Sequence, residues 1–250
     1  MDFAIIAAGE GSRLVQESVT TPKPLINIQG CPMIERLIRV FLKNGASSIS
    51  VIVNEEMKEV QDFLKTIQLP VPFHLHIQST PSSMHSFYAL SRYLRNDRFC
   101  LTTVDTIFRE DEFAGYIQAF VNAEELDGLM AVTDFVDDES PLYVETDADR
   151  RILGFWDTPP QFARKGEDES SYGYTYVSGG IYCLKQQAIR VLEKAILEGM
   201  SRMRNYQRRL VSEGLHLKAC PFAKIIDVDH AADIVKAEEF LSKNQEKKQS

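Results

Sequence analysis

The sequence is poor in cysteine and has no two cysteines close together. The four cysteines are Cys31, Cys100, Cys183 and Cys220, so no CxxC motif is present. This spacing argues against zinc and thioredoxin-like sites and predicts reduced thiols in a cytoplasmic protein. The sequence also lacks an apolar run near the roughly 18 residues that a membrane-spanning helix requires, and its start lacks the basic segment of a signal peptide. We therefore predict a cytoplasmic protein without a membrane segment.

An excess of basic residues is also missing. Lys and Arg number 28 against 36 Asp and Glu, which gives a formal net charge of −8. This balance argues against a general nucleic-acid or anionic-membrane binder, although a local basic pocket is compatible with it. The 44% hydrophobic content is sufficient for a packed core and excludes a disordered chain.

The order of apolar patterns predicts an α/β fold. Short apolar runs alternate with helical patterns from residue 3 to about residue 123, which predicts a mostly parallel sheet with right-handed crossovers and helices on both faces. Residues 128–157 contain three apolar segments without a clear helix, and 159–173 form a polar stretch typical of a loop. No internal repeat or Pro/Gly-rich linker is present. We predict one domain over residues 1–250, with a small antiparallel insertion at about 135–175.

The segment after the first strand has the composition of a phosphate-binding loop. It reads AAGEGSRL from Ala7 to Leu14, and TPKPL follows from Thr21. Glycines allow close approach of the backbone to phosphate, successive N–H groups form an anion-binding nest, and Arg13 and Lys23 add positive charge. The loop is neither a Walker A motif nor a complete GxGxxG fingerprint. The alternative is a flexible surface loop, which a GxG pattern alone would favour.

These two motifs resemble the signature loop of the sugar-phosphate nucleotidyltransferases, which make NDP-sugars from an NTP and a sugar 1-phosphate. Further similarity lies in GCPMIER (30–36), VDTIF (104–108), VSGGIYCL (177–184) and IIDVDHAADIVKAEEFL (225–241). The resemblance implies a three-layer α/β/α, Rossmann-like nucleotide-diphospho-sugar transferase fold. It also implies release of pyrophosphate, with Mg²⁺ as the cofactor, and a monomer or homo-oligomer that binds no nucleic acid.

The resemblance also assigns residues to roles on the nucleotide side. Arg13 and Lys23 correspond to the catalytic cations. The implied nucleotide-binding residues are Ala7, Ala8, Gly9, Gly11 and Ser12 in the loop, with Gln78 and Ser83 at the base and ribose. Ser82-Ser83-Met84 stands where the family has a Gly-Thr-Ala turn. A serine N-cap with a surface Gln78 is the alternative, and His85 is either a ligand contact or a packed or solvent-facing side chain.

Three aspartates are the candidate metal ligands. Asp105 follows the fourth apolar strand of the alternating region, at the strand end where parallel α/β sheets bind ligands. Asp227 and Asp229 flank Val228, so that two carboxylates point the same way in a strand and require a cation or hydrogen bonds. By resemblance, Asp105 and Asp227 hold Mg²⁺, which suits oxygen ligands, and Asp229 lies behind them. The alternative for each site is a helix cap.

The acceptor side departs most from the family pattern. Leu142 stands in a strand where the family has Gly, and Asp157-Thr158 stands where it has Glu-Lys. Asp157 is the candidate for the hydroxyl contact and Gly180 a further substrate contact, but Thr158 cannot supply the charge of a lysine. Arg164 or Lys165 are candidates to replace it. Trp156 either stacks on a sugar or belongs to the core. The arginines at 202, 204, 208 and 209 are predicted to form a solvated helix face.

Other functions remain open. MHSFYALSRYL (84–94) also resembles phosphocholine cytidylyltransferases, which use the same fold on a small cationic alcohol phosphate. A glycosyltransferase would use the aspartates to hold a nucleotide-sugar, but the GxGSR loop with Lys23 argues against it. A catalytically weak, nucleotide-binding regulatory homologue would retain the loop and lack the acceptor contacts.

Overall fold

The computed structural model describes residues 1–137, 139–160 and 175–246. The strands are β1 (Asp2–Ala7), β2 (Asn27–Ile28), β3 (Cys31–Pro32), β4 (Ser48–Val53), β5 (Phe73–Ile77), β6 (Arg98–Thr103), β7 (Thr106–Ile107), β8 (Gly128–Thr133), β9 (Tyr143–Thr146), β10 (Ile152–Trp156), β11 (Thr175–Lys185), β12 (Leu217–Pro221) and β13 (Ile226–Asp227). The helices are α1 (Ser12–Gln16), α2 (Met33–Lys43), α3 (Lys58–Thr66), α4 (Ser83–Ser91), α5 (Glu110–Asn122), α6 (Gln186–Leu197), α7 (Met203–Ser212) and α8 (Ala231–Glu246), with a 3₁₀ turn at Lys23–Leu25.

The central sheet is mixed and mostly parallel in its first half, as predicted. Its order is β10-β9-β11-β6-β1-β4-β5, with β8 paired to β11 and β12. β1 lies between β4 and β6 and is parallel to both. All six residues of β1 and of β4 are buried, which is why these strands read as continuous apolar runs rather than as an alternating pattern.

Helices cover both faces of the sheet. One core cluster packs α2, α3 and α5 against one face, and a second packs α4, α6 and α7 against the other. α2 begins just after Pro32 and ends before Gly45, which has a φ of 73°. Glycine tolerates this left-handed conformation and so ends the helix with little backbone strain.

The antiparallel insertion is also confirmed in the described residues. β9 pairs antiparallel with β10 and with β11, and β11 crosses the sheet antiparallel to β6 and β8. Strand β13 is short, since it comprises only Ile226 and Asp227, and it pairs antiparallel with β7. Among the described helices, none is long and apolar enough to cross a membrane.

Candidate active site at the carboxyl ends of β1 and β6

The loop after β1 forms one wall of a cleft of about 940 Å³ that Ala8 to Val15 help to line. Gly11 precedes α1 with a φ of 63°, and a Cβ on it would lie 3.2 Å from the Cβ of Lys23. Glycine is therefore required both for the turn and for the close approach of the 3₁₀ turn that carries Lys23. Ala7, in contrast, is buried at the end of β1 and does not line the cleft.

Lys23 connects the loop to two distant carboxylates. Its Nζ donates to Asp105 and, at 2.6 Å, to Asp229 Oδ1, although Lys23 is only 9% exposed. Burial acts to lower the pKa of Lys23, but the attraction of Asp105 and Asp229 outweighs it, so the pKa lies above its usual value. The ammonium therefore carries a full charge between two acids that are more than a hundred residues apart in sequence.

Backbone pairing explains why those acids meet. β7 and β13 pair antiparallel, so Asp227 lies opposite Thr106. The Val228 N–H donates to the Asp105 carbonyl at 3.1 Å. This short ladder places the segment from Asp227 to Asp229 beside Asp105, more than a hundred residues away in sequence.

The helix-cap alternatives for these aspartates are wrong. α5 begins at Glu110, after an N-cap at Arg109, so Asp105 does not cap it. At α8, the Asp229 and His230 N–H groups donate to Asp233, and the Ala231 N–H donates to Glu17. The Asp229 carboxylate is thereby left for the two cations of the cleft.

Arg13 adds the second cation. Its NH1 lies 3.0 Å from Asp229 Oδ2 and its NH2 lies 3.5 Å from Glu139, with the side chain 48% exposed. Arg13 and Lys23 therefore share Asp229, the aspartate that was predicted to lie behind the metal ligands Asp105 and Asp227. Asp227 is close by and lines two cavities with Asp229.

The donor set fits a hard divalent cation that needs few protein ligands. Within the described part of the chain, no three His, Cys, Asp or Glu side chains form a metal-binding group. The carboxylates of Asp105 and Asp229 do share one cation, the Lys23 ammonium. Mg²⁺ is bound by one or two carboxylates, with water and substrate phosphates as its remaining ligands. The residues present are compatible with it.

The base-side candidates separate in the structure. Ser83 lines the cleft, but Gln78 lines a different surface cavity, where its amide oxygen accepts from His76 Nε2 at 2.9 Å. His85 lies beside Gln78 in that second cavity, and its Nδ1 is 2.9 Å from the Ser82 hydroxyl. Ser82, rather than Ser83, is the N-cap of α4.

A smaller cavity of about 260 Å³ extends the cleft toward the antiparallel insertion. Asp105, Asp227 and Asp229 line this cavity together with Ser178, Gly180 and Arg204. Gly180 has a φ of 71°, and a Cβ there would lie 3.3 Å from the hydroxyls of Thr103 and Thr106. Tyr182 and Gln207 also line it, and burial raises the pKa of Tyr182 to about 12. Its hydroxyl therefore stays protonated.

The structure places the acceptor-side candidates differently from the expectation. Asp157 binds Arg204 and Arg208 at 2.6 and 2.7 Å, so two of the arginines predicted to form a solvated face are paired. Leu142 lines the small cavity, whereas Asp157 and Trp156 do not. Trp156 is 47% exposed, which excludes the core interpretation. Arg164 and Lys165 lie outside the described residues.

Two residues that hold the loop in place were missed in the sequence analysis. The Asn54 side chain donates to the Ala8 carbonyl at 3.3 Å and accepts from Glu56 and Met57. Glu17 binds His230 and the Ala231 N–H, which links α1 to the start of α8. An Asn at a strand end was a usable signal for the first contact, but nothing local in the sequence indicates the second.

The chain belongs to the nucleotidyl transferase family, whose model matches residues 4–244. Bifunctional protein GlmU of Methanococcus vannielii is 26% identical over 196 residues, which cover 78% of this chain and 44% of that protein. The chain thus spans less than half the length of that relative. The 2-aminoethylphosphonate cytidylyltransferase of Lancefieldella rimae is 49% identical over 49 residues, 20% of each chain.

Solved structures share the fold. The inositol-1-phosphate CTP transferase of T. maritima aligns with a TM-score of 0.76 and 18% identity, covering 97% of this chain and 95% of that one. A glucose-1-phosphate thymidylyltransferase from Bacillus anthracis, described as putative, aligns with a TM-score of 0.77 and 21% identity, over 96% and 94%. These likenesses confirm the Rossmann-like fold predicted from the sequence.

Proposed function

We propose that this protein transfers a nucleoside monophosphate from an NTP to a phosphate-monoester acceptor, a sugar 1-phosphate, with release of pyrophosphate. The observation that carries the proposal is the joining of Lys23, on the phosphate-loop side, to Asp105 and Asp229 in one cleft. Phosphoryl-type transfer depends mainly on positioning and on balancing negative charge, and this cleft combines anchored cations with carboxylates for a metal.

In the proposed reaction an ionised oxygen of the acceptor attacks the α-phosphorus of the NTP. The bond from the α-phosphorus to the bridging oxygen breaks, and pyrophosphate leaves with that electron pair. No general base is required, because the attacking oxygen is already deprotonated near neutral pH. The N–H groups of Gly9 to Ser12, with Arg13 and Lys23, bind the β- and γ-phosphates and stabilise the charge that develops there.

Asp105, with Asp229 and Asp227 beside it, is the proposed holder of Mg²⁺. When bound, Mg²⁺ supplies charge neutralisation between the two anionic reactants. Asp227 was paired with Asp105 on the sequence resemblance, whereas the contacts of Lys23 favour Asp229 as the closer partner. Both assignments are proposals, and substituting Asp227 and Asp229 separately distinguishes them.

A second candidate is a cytidylyltransferase that acts on a small cationic phosphate or phosphonate. The identity to a 2-aminoethylphosphonate cytidylyltransferase favours it, although that match covers a fifth of the chain. The acidic wall of Asp105, Asp227 and Asp229 is also compatible with an acceptor that carries an amine. Both candidates require the same phosphate loop and differ only in base and acceptor.

The decisive experiment is pyrophosphate release with each common NTP, paired in turn with glucose 1-phosphate, phosphocholine and 2-aminoethylphosphonate, with and without Mg²⁺. Turnover that needs the NTP, the acceptor and Mg²⁺ supports a nucleotidyltransferase. The pair of NTP and acceptor that reacts shows which of the two candidates is right. Nucleotide binding without turnover for any pair would support the regulatory homologue. Because bound product stabilises the fold by mass action, a thermal-shift screen of the matching products checks the result independently.

We also propose that the reaction takes place in the cytoplasm and that residues 1–250 act as one domain. All four cysteines are free in the structure, which is compatible with a reducing compartment.

A further inference from the structure

The smaller cavity of about 260 Å³, which we call the acceptor cavity, contains an arginine to which no role has been assigned. Among the described residues that line it, Arg204 is the one Lys or Arg side chain, and Asp105, Asp227 and Asp229 line the same cavity. An acceptor phosphate brought to these carboxylates meets strong repulsion unless a fixed cation balances it. By the sequence resemblance, Thr158 stands at the position of the family's lysine, so another residue would have to supply that charge.

Arg204 is held by contacts that leave most of its donors available. Its NH1 donates to Asp157 Oδ1 at 2.6 Å and its NH2 donates to the Ser140 carbonyl at 3.1 Å. These bonds use two of the five N–H groups of a guanidinium. A planar fork with further donors is well suited to two parallel hydrogen bonds with a tetrahedral oxyanion.

Asp157 does not cancel the charge of Arg204. Its second oxygen lies 2.7 Å from Arg208, so that one carboxylate is shared by two guanidinium groups and the trio keeps a net positive charge. Arg208 donates to the Phe155 carbonyl and to Asn205, and it does not line the cavity. Arg204 is therefore the member of the trio that lines the cavity.

The helix that carries Arg204 is a rigid platform. Tyr206 is 1% exposed and donates to the Ala188 carbonyl, which fixes α7 against α6. Gln207 is also buried, and its amide accepts from Ser178 and donates to Tyr182 in the cavity wall. Arg204 lies in the first turn of α7, where the helix dipole adds positive potential.

We propose that Arg204 binds the phosphate or phosphonate group of the acceptor in the cavity that it lines together with the three aspartates, and that Asp157 positions its guanidinium. This inference rests on the proposed function. In this proposal, Arg204 of α7 makes the phosphate contact that the family's lysine would make. The cation therefore comes from a helix rather than from the β9–β10 insertion.

Steady-state kinetics of Arg204→Gln test the proposal. We expect the acceptor KM to rise roughly 10- to 100-fold, as for loss of a charge-assisted hydrogen bond, while the NTP KM stays unchanged. Arg204→Lys should recover part of the loss, and added guanidinium should rescue Arg204→Ala. Parallel arms with glucose 1-phosphate and 2-aminoethylphosphonate show whether the anion is a phosphate ester or a phosphonate.

Arg209→Gln is the matched control, because Arg209 lies on the same helix but pairs with Glu198 and Glu213. It removes the same charge and should leave the acceptor KM unchanged. Equal changes in both variants, or a change in the NTP KM alone, would overturn the proposal. Thermal midpoints of all variants show whether a loss reflects unfolding.

Calorimetric binding of inorganic phosphate separates this inference from the proposed function. The protein is first saturated with a non-hydrolysable NTP analogue, which occupies the phosphate loop. Binding that is present in the wild type and in Arg209→Gln, and lost in Arg204→Gln, supports the subsite even if no acceptor turns over. Equal binding in both variants, or no binding by the wild type at millimolar phosphate, contradicts it.

Discussion

The proposed nucleotide side and the proposed acceptor side of the cleft are built in different ways. On the nucleotide side, the cations come from one segment of the chain, Arg13 to Lys23, and contact carboxylates directly. On the acceptor side, Arg204 is fixed by Asp157 of the β10 end and by the Ser140 carbonyl. A local motif therefore supplies the first group of charges, whereas packing of α7 against the insertion supplies the second.

The difference has an electrostatic consequence. Lys23 is buried and its charge is balanced by two acids, so removal of the lysine leaves Asp105 and Asp229 facing each other. Arg204 is about one-third exposed and shares its acid with Arg208. Substitutions on the nucleotide side should therefore lower activity more than substitutions on the acceptor side.

The largest expected effect is that of Lys23→Ala. Loss of one preorganised donor to the leaving group should lower kcat/KM roughly 10²- to 10³-fold, with a cooperative fold retained. Lys43→Ala is the control, since Lys43 forms an exposed ion pair with Glu110. Near-normal turnover of Lys23→Ala in the pyrophosphate assay would remove Lys23 from the mechanism and with it the contrast between the two sides.

Asp229→Asn and Asp227→Asn sharpen the assignment of the carboxylates. Because Asp229 contacts both Lys23 and Arg13, we expect Asp229→Asn to lower kcat/KM about 10- to 100-fold and to raise the Mg²⁺ concentration for half-maximal rate. Asp227→Asn should have a smaller effect on both quantities. The reverse order would restore Asp227 as the main partner of Asp105.

Gly180→Ala tests the geometry of the acceptor wall. A side chain at its φ of 71° is strained, so the free energy of unfolding should fall by about 1–2 kcal/mol in denaturant titrations. Gly115→Ala, in α5 with open space around it, is the matched control and should be neutral or stabilising. If the two variants are equally stable, the wall is not constrained by this backbone conformation.

Asp157→Asn should have the smallest effect, a few-fold increase in the acceptor KM. Hydrogen bonds from Arg204 and Arg208 hold the pKa of Asp157 below its usual value of 3.8, so its contribution is present above that pH and is lost only as pH falls through the lowered pKa. Above about pH 7 the acceptor phosphate is also fully ionised, so the ratio of acceptor KM between variant and wild type should be constant from about pH 7 to pH 9. A ratio that varies across this range would show that another group positions Arg204.

Much of the fold was predictable because local pattern and burial agree. The apolar runs that became β1 and β4 are buried on both faces, and α2 shows a continuous apolar stripe from Ile34 to Phe41. The loop from Gly9 to Lys23 was predictable for a related reason, since its glycines and cations are adjacent in sequence. The pairing of β13 with β7 was not predictable in this way, because it joins two-residue strands more than a hundred positions apart.

The sequence by itself determined the alternation of strands and helices, the glycine-rich loop after β1 and the family, since each depends on neighbouring residues. Only the tertiary structure decided that Asp229 meets Lys23 and Arg13, and that Arg204 lines the acceptor cavity. The contacts Lys23–Asp229, Arg13–Asp229 and Arg204–Asp157 join residues that are 206, 216 and 47 positions apart in the sequence, respectively. Charges so far apart in sequence become neighbours only when the sheet order and the docking of α7 and α8 are set.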